Sequence, residues 1–458
     1  MLSVSALSAF STVLHGHLVQ PGDTGYDAAR QVYNGMIDRR PRLIVYARDV
    51  ADVQHTVRLA SDHQQLLALR GGGHNGGGLG VCDDGVVLDM SLFKAIEIDP
   101  AARTARVGAG CLLREIDAAT HAHGLALPMG INGTTGIAGL TLGGGIGYLS
   151  RQYGLTVDHL LSADVVLASG EAVTASANEH PDLFWALRGG GGNFGVVTTF
   201  EFRLEPVRDV VGGMTIWPIE RMTDLLRWYR EFIVSAPPDL NGFVHLGKIP
   251  PVDPFPAALH GRTVCAVVWC YTGPPEQAGQ VFAPIRAFGP PMIDAVQPMP
   301  MPMLQGMFDA LYPAGLQWYW RGDFFDTLSD EAIARHVEFA ARVPTLHSLM
   351  HLYPVLGQVH AVGPNETAFS YRRSQFAQVV AGVSHDPADR DAITRWCKDY
   401  GAALHDLSAG GSYINFLMEE GDARVQAAYR GNLDRLFALK RRYDPGNLFR
   451  VNQNIVPA

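Results

Sequence analysis

The sequence predicts an α+β protein: an N-terminal part in which strands and helices alternate, then a part built on an antiparallel sheet flanked by helices. Three observations carry this reading. Up to Pro206, short apolar runs of strand length alternate with stretches of helical period. Three glycine blocks, residues 70–80, 130–155 and 188–204, are each joined to such a run. After Pro206 the texture shifts to aromatic, β-rich segments with helical ones between them.

The elements follow in order. "RLIVYA" reads as a strand leading into a helix whose Val53, Val57 and Ala60 share one face. "LLALR", "GVVLDMS" and "TARVGAG" read as further strands, and "CLLREIDAATHAHG" as a helix stopped by Gly124. "HPDLFWALR" is a helix entering the third glycine block, which leaves as the strand "VVTTFEFRL". Beyond Pro206, "GFVHLGKI", "TVCAVVWCYTG", "HSLMHLYPVLGQVHAV" and "QFAQVVAGVSHD" are β-rich, and "DEAIARHVEFAARV" is helical. The Pro-rich "PPVDPFPAAL" and "QPMPMPML" read as loops. Near the end, "RVQAAYRGNLDRLFALKRRY" reads as one helix ending near Tyr443, with Val425, Tyr429, Leu433, Leu436 and Phe437 on one core face.

Composition excludes several classes. With 458 residues, 47% hydrophobic and 18% charged, the chain has ample length for a large core. A net charge of −9 with no basic run argues against nucleic acid or an anionic membrane surface as partner. No apolar stretch approaches the ~18 residues of a membrane span. The N-terminus lacks the charged and apolar regions of a signal peptide. Cys82, Cys111, Cys265, Cys270 and Cys397 form no C-x-x-C and no zinc spacing, so a metal site is not expected. A cytoplasmic chain with thiols packed as small hydrophobes fits best. Cys265 and Cys270 fall on opposite faces of a regular strand.

The glycine blocks are the main chemical clue. A P-loop pattern is absent, and "GGGIG" at 143–147 lacks the βαβ unit and downstream acid of a nicotinamide-binding turn. Glycine still lets successive N–H groups converge on an anion and permits positive φ. One such block reads as a tight turn. Three, one of them enclosing His74 in "RGGGHNGGGLG", point to a dinucleotide held from several sides.

Together "RGGGH", "GLTLGGGIGYLSRQYGLTVD", "DLFWALRGGGGNFGVVT" and the terminal "YDPGNLFRVNQNI" resemble the FAD-linked oxidases of the vanillyl-alcohol oxidase/PCMH-type superfamily, in the berberine-bridge-enzyme-like branch. The resemblance implies a PCMH-type FAD-binding domain over 1–206, a substrate-binding domain over 207–410 and a segment, 411–458, that completes the FAD domain. It places the covalent 8α-histidyl flavin link on His74, with Arg70, Gly71, Gly72, Gly73 and Asn75 along the pyrophosphate. Gly110, Thr134, Gly136, Gly139, Gly143, Gly144, Gly147, Gly195 and Val197 are implied as further cofactor contacts. Many members attach FAD a second time through a cysteine. Here that stretch is "GIN" and Asn132 stands in its place, which implies a single covalent bond and a more closed site.

For the proton that leaves the substrate, the base candidates lie on the predicted sheet. His351 and Tyr353 are two apart, hence on one face, and His245 lies on another strand. In the related bacterial oxidases a Tyr and a Glu match the places of His245 and His351. "GGSYINF" resembles the family's Y-x-N segment, which makes Tyr413 a second base or hydrogen-bond candidate and Asn415 a partner of the flavin's polar edge. Asn452 is a similar candidate. Thr135 and Leu140 flank the segment that controls O2 access in the family. Trp318, Tyr319 and Trp320 read as a mixture of core and pocket wall, and Met299, Met301, Met303 and Met307 as loop packing.

The expected function is an FAD-dependent oxidase. It would pass hydride from a small or medium organic molecule (an alcohol, an amine or a phenolic natural product) to flavin N5, with O2 as acceptor. Sugars fit less well, because carbohydrate-oxidising members tend to be doubly linked. Two alternatives stand beside it: an oxygenase acting through a flavin–oxygen adduct in secondary metabolism, and a non-catalytic flavin-binding protein. The expected assembly is a monomer or homodimer.

Overall fold

Three sheets organise the chain, which the computed structural model describes over residues 3–457. The first has four strands in the order His17–Val19, Leu43–Tyr46, Val86–Asp89, Leu67–Arg70, and its last three run parallel. Such strands are covered on both faces and read as unbroken apolar runs, as "LIVY" does. The second sheet is antiparallel, in the order Ile96–Asp99, Thr104–Gly108, Val196–Arg203, Leu160–Val166, Ala172–Ser176. The glycine block at residues 70–80 leaves the end of a first-sheet strand, and the one at 188–204 enters a second-sheet strand.

The third sheet has eight strands and is antiparallel. Its centre is formed by Thr263–Tyr271, Leu240–Lys248, Leu349–Pro354 and Phe376–Ser384. Alternation sorts its side chains: Val244, Leu246, Met350, Leu352 and Val380 pack in one core cluster with residues of the helices Met222–Ser235, Asp330–Ala340 and Arg390–His405. Phe243, Tyr353, Val379 and Ala381 fall in the other cluster, shared with the first two sheets. One face of this sheet is therefore backed by helices and the other roofs the N-terminal part.

Buried polar ties hold the roof in place. Arg372 makes two 2.7 Å bonds to the carboxylate of Asp158. Asn241 donates to the carbonyls of Gly147 and Tyr148 in the second glycine block. At the C-terminus, fully buried Lys440 donates to Asp444 and to the carbonyls of Asn193 and Phe449. That ammonium joins the third glycine block to the terminal segment.

Most elements fall where the sequence places them, with four differences. "QPMPMPML" is ordered: Gln297–Pro300 is a strand paired with Asp209–Pro218, and Met301–Gln305 is a short helix. Proline is tolerated there because it pairs off the main path of the sheet and at a helix start. The second glycine block contains the helix Ile137–Gly143, whose Ile137, Thr141 and Leu142 are buried; packing overrides the poor propensity of glycine. The terminal helix is broken at Arg430, φ +44°, into Asp422–Tyr429 and Leu433–Tyr443, so the five apolar residues do not share one helix face. The Tyr413 segment is not a strand: Tyr413 precedes a 3-10 turn, Ile414–Phe416.

All five cysteines are buried and free, and Cys265 and Cys270 belong to opposite core clusters. Among the described residues no helix is long and apolar enough to cross a membrane.

Candidate active site

A cavity of about 380 Å3 lies between the glycine blocks and the roof. That is in the usual size range of a ligand pocket. All three glycine blocks, the roof strands and the terminal segment line it. Among the sequence-predicted site residues, Arg70, Gly71, Gly72, Gly73, His74, Asn75, Asn132, Thr135, Gly136, Gly139, Gly195 and Val197 are on its wall. So are Leu140, His351, Tyr353, Tyr413, Asn415 and Asn452.

His74 sits at the glycine end. Its ring stacks on Tyr33 at 3.9 Å between centroids. The Thr134 hydroxyl donates to Asn132 Oδ1 at 2.7 Å, so its oxygen accepts from His74 Nε2–H at 2.9 Å. That chain places the proton on Nε2, and the Nδ1 lone pair accepts a long bond, 3.5 Å, from the Thr135 hydroxyl. Burial lowers the pKa of His74 to about 4, with Thr134 acting weakly in the opposite sense. The imidazole is thus neutral at neutral pH.

Around it the backbone is arranged for an anion. Among the described residues the N–H groups of Gly72, Gly73, His74 and Asn75 have no protein acceptor. Four successive donors without partners on a cavity wall form a concavity suited to phosphate oxygens. A Cβ at Gly139 would meet nothing within 4 Å, so its absence holds space open. Asn452 donates to the carbonyls of Gly192 and Phe449, while its Oδ1 is buried without a partner. Tyr413 Oη accepts from Gly145 N–H and from Asn415 Nδ2, which leaves its own proton to donate. Burial pushes its pKa up to about 12, so the phenol is protonated at neutral pH.

Five predicted cofactor contacts are not on the cavity wall. A Cβ on Gly110 would overlap the Met90 carbonyl, on Gly143 the Asn415 amide, on Gly144 the Phe369 ring, and on Gly147 the Met129 carbonyl. These glycines are present for close packing and do not line the cavity. The guanidinium of Arg70 is bound to Asp89 through Nε and reaches the Gln31 carbonyl through Nη1. Thr134 stands behind His74 and is also off the wall.

The roof end holds the second cluster. His245 and His351 are directly opposite on neighbouring antiparallel strands, with His245 Nδ1 2.8 Å from His351 Nε2. His351 Nδ1 is 2.7 Å from Tyr353 Oη. His245 lies behind His351 and does not line the cavity, contrary to the expectation that it faces the ligand. Desolvation lowers the pKa of His245 to about 4; it also lowers that of His351, helped by His245, and raises that of Tyr353. All three are neutral at neutral pH.

Phe308, Tyr312, Trp318, Trp320 and Phe416 complete an aromatic wall. Sequence reasoning named neither Tyr33, Phe308 nor Tyr312, since a lone aromatic in an irregular segment carries no periodic signal. Trp318 and Trp320 face the cavity while Tyr319 packs toward the helix side, as strand alternation requires.

The comparisons with known proteins agree with this geometry. Residues 41–176 match a family model described as an FAD binding domain, and residues 412–456 match one described as berberine and berberine like. An FAD-linked oxidoreductase of Dictyostelium discoideum is 31% identical over 98% of this chain and 97% of its own length. The (R)-6-hydroxynicotine oxidase of Paenarthrobacter nicotinovorans is 29% identical over 97% of each chain. The crystal structure of 6-hydroxy-D-nicotine oxidase from Arthrobacter nicotinovorans superposes with a TM-score of 0.87 at 26% identity, covering 97% of this chain and 98% of that one.

Proposed function

The chain belongs to the FAD-linked oxidoreductases with a berberine-like C-terminal segment, and on that premise we propose that it is an oxidase whose FAD is attached through His74 alone. Its substrate is a small or medium organic molecule held under the roof, and O2 is the electron acceptor. The observation that carries this reading is a single cavity with a neutral histidine, unprotonated at Nδ1, at one end and a buried Tyr–His pair at the other.

The residues present fit FAD. The partnerless N–H groups of Gly72 to Asn75 would receive the pyrophosphate, and Gly139 leaves room for a ring system. Asn452 Oδ1 and the Tyr413 proton would meet the polar edge of the flavin. When bound, the flavin supplies an acceptor for hydride and a path for two electrons to O2. The protein's share is to orient the substrate carbon and to take its proton. Asn132 offers no thiol, and its amide oxygen instead orients Thr134 and through it His74. Five buried thiols without a disulfide fit a reducing compartment.

Anaerobic titration of the purified yellow protein with alcohols, amines and polyphenols tests the proposal. At least one compound should bleach the flavin, and air should restore the colour with release of peroxide. A flavin that no compound bleaches, or that stays reduced in air, contradicts it.

A further inference from the structure

The roof chain has a property that a pair of structural histidines lacks. Tyr353, His351 and His245 are joined end to end by hydrogen bonds of 2.7 and 2.8 Å, and every member both gives and takes a proton. Two neutral arrangements satisfy the same distances. In one, Tyr353 donates to His351 Nδ1, and His351 Nε2–H donates to His245 Nδ1. In the other the order is reversed, and the Tyr353 proton points into the cavity. Moving one proton in at Tyr353 and one out at His245 Nε2 converts the first into the second.

The surroundings favour that conversion over charge storage. Phe243 and Phe308 flank His351, at ring distances of 4.9 and 5.7 Å, and keep the chain dry. Tyr353 and His351 line the cavity; His245, at 7% exposure, lies at the far end. Beyond its Nε2 stands Gly247, where a Cβ would come within 2.7 Å. Other titratable groups nearby are Tyr312 and Tyr148, phenols that burial keeps protonated. Asp309, next to Phe308, is turned to the Gly133 N–H. Among the described residues on the cavity wall there is no Asp, Glu or Lys, and Arg70 is paired with Asp89. A substrate cation would find no counter-charge there.

We infer that Tyr353, His351 and His245 form a proton relay serving an uncharged, hydroxyl-bearing aromatic substrate, with Tyr353 as the catalytic residue that touches the hydroxyl and His245 as the residue that discharges the proton. This rests on the oxidase reading above. With FAD bound, its ring would accept the C–H electron pair as hydride, while the O–H proton enters Tyr353 Oη and a C=O bond forms. The Tyr353 proton passes to His351 and that of His351 to His245, which releases its Nε2 proton to solvent water at its exposed edge. The two electrons, with two protons, then reduce O2 to H2O2.

The test uses the flavin-loaded protein and matched benzylic alcohols and benzylamines, read as the rate of anaerobic flavin bleaching. The alcohols should bleach faster than the amines. His245→Phe, outside the cavity, should retain full flavin content and slow bleaching at saturating alcohol by at least about tenfold, the range of a lost proton-transfer partner. In wild-type protein, the rate plotted against the deuterium fraction of the solvent should curve, because more than one proton moves. Faster bleaching by amines, no bleaching by any alcohol, a wild-type rate in His245→Phe or a linear deuterium plot each overturns the relay. Protein that carries no flavin would instead overturn the oxidase reading. Should His245→Phe not fold, the deuterium plot of the wild-type protein decides alone.

Discussion

The two ends of the cavity each hold a neutral histidine bonded to a hydroxyl, yet the chains differ in direction. At the glycine end the sequence of bonds is His74 to Thr134 to Asn132, and it stops at an amide oxygen, which accepts and never donates. The proton on His74 Nε2 has nowhere to move, so Nδ1 stays unprotonated. At the roof end, Tyr353, His351 and His245 can each reverse their role. One chain is a lock and the other a relay. A lock suits a group that must form one permanent bond; a relay suits a group that must be reset after every turnover.

Breaking each end separately sharpens the contrast. The largest effect is expected from His74→Ala, which should abolish flavin that survives denaturation while leaving the relay intact; fluorescence of the denatured protein band reads this. At the other end, Tyr353→Phe should keep the flavin attached but slow anaerobic bleaching by about 100-fold or more, the contribution of a positioned proton-transfer group. Thr134→Val removes the lock and not the histidine. It should slow covalent attachment of FAD by about fivefold, the worth of one net hydrogen bond of about 1 kcal/mol, while Thr134→Ser restores it. Mass spectrometry over the course of attachment measures both.

The smallest effect is shared by the two ends. In the flavin-free protein, His74, His245 and His351 all have pKa values lowered by burial, to about 4 for the first two, from the ordinary 6.5. Between those values the unfolded chain binds more protons than the folded one, so stability rises with pH. Stability should be full above about pH 6.5 and decline as pH falls toward 4. Denaturant midpoints across that window check the sign, and replacing His336, which is buried well away from the cavity and also lowered, to about 3, gives the control.

The ends also differ in how far they were legible in the sequence. The glycine end is local: a strand, three glycines and a histidine occupy residues 67–74, and so dense a cluster has few structural meanings. Even so, glycine content alone did not separate cavity glycines such as Gly139 from packing glycines such as Gly147, because the distinction depends on what a Cβ would meet. Nor did it show that Arg70 faces Asp89, a partner supplied by the neighbouring parallel strand. At the roof, strand period put His351 and Tyr353 on one face. The bond from His245 to His351 spans 106 residues and depends on strand register, which no local pattern carries. Lys440 and Asp444, an i,i+4 pair that sequence analysis did not single out, are fully buried.

The most direct test of the account is where the flavin resides after the wild-type protein is denatured and digested. Flavin fluorescence retained on a single peptide containing His74, with Nδ1 as the bonded nitrogen, is the result predicted. Flavin released entirely into solution, or bonded through Nε2, would contradict it.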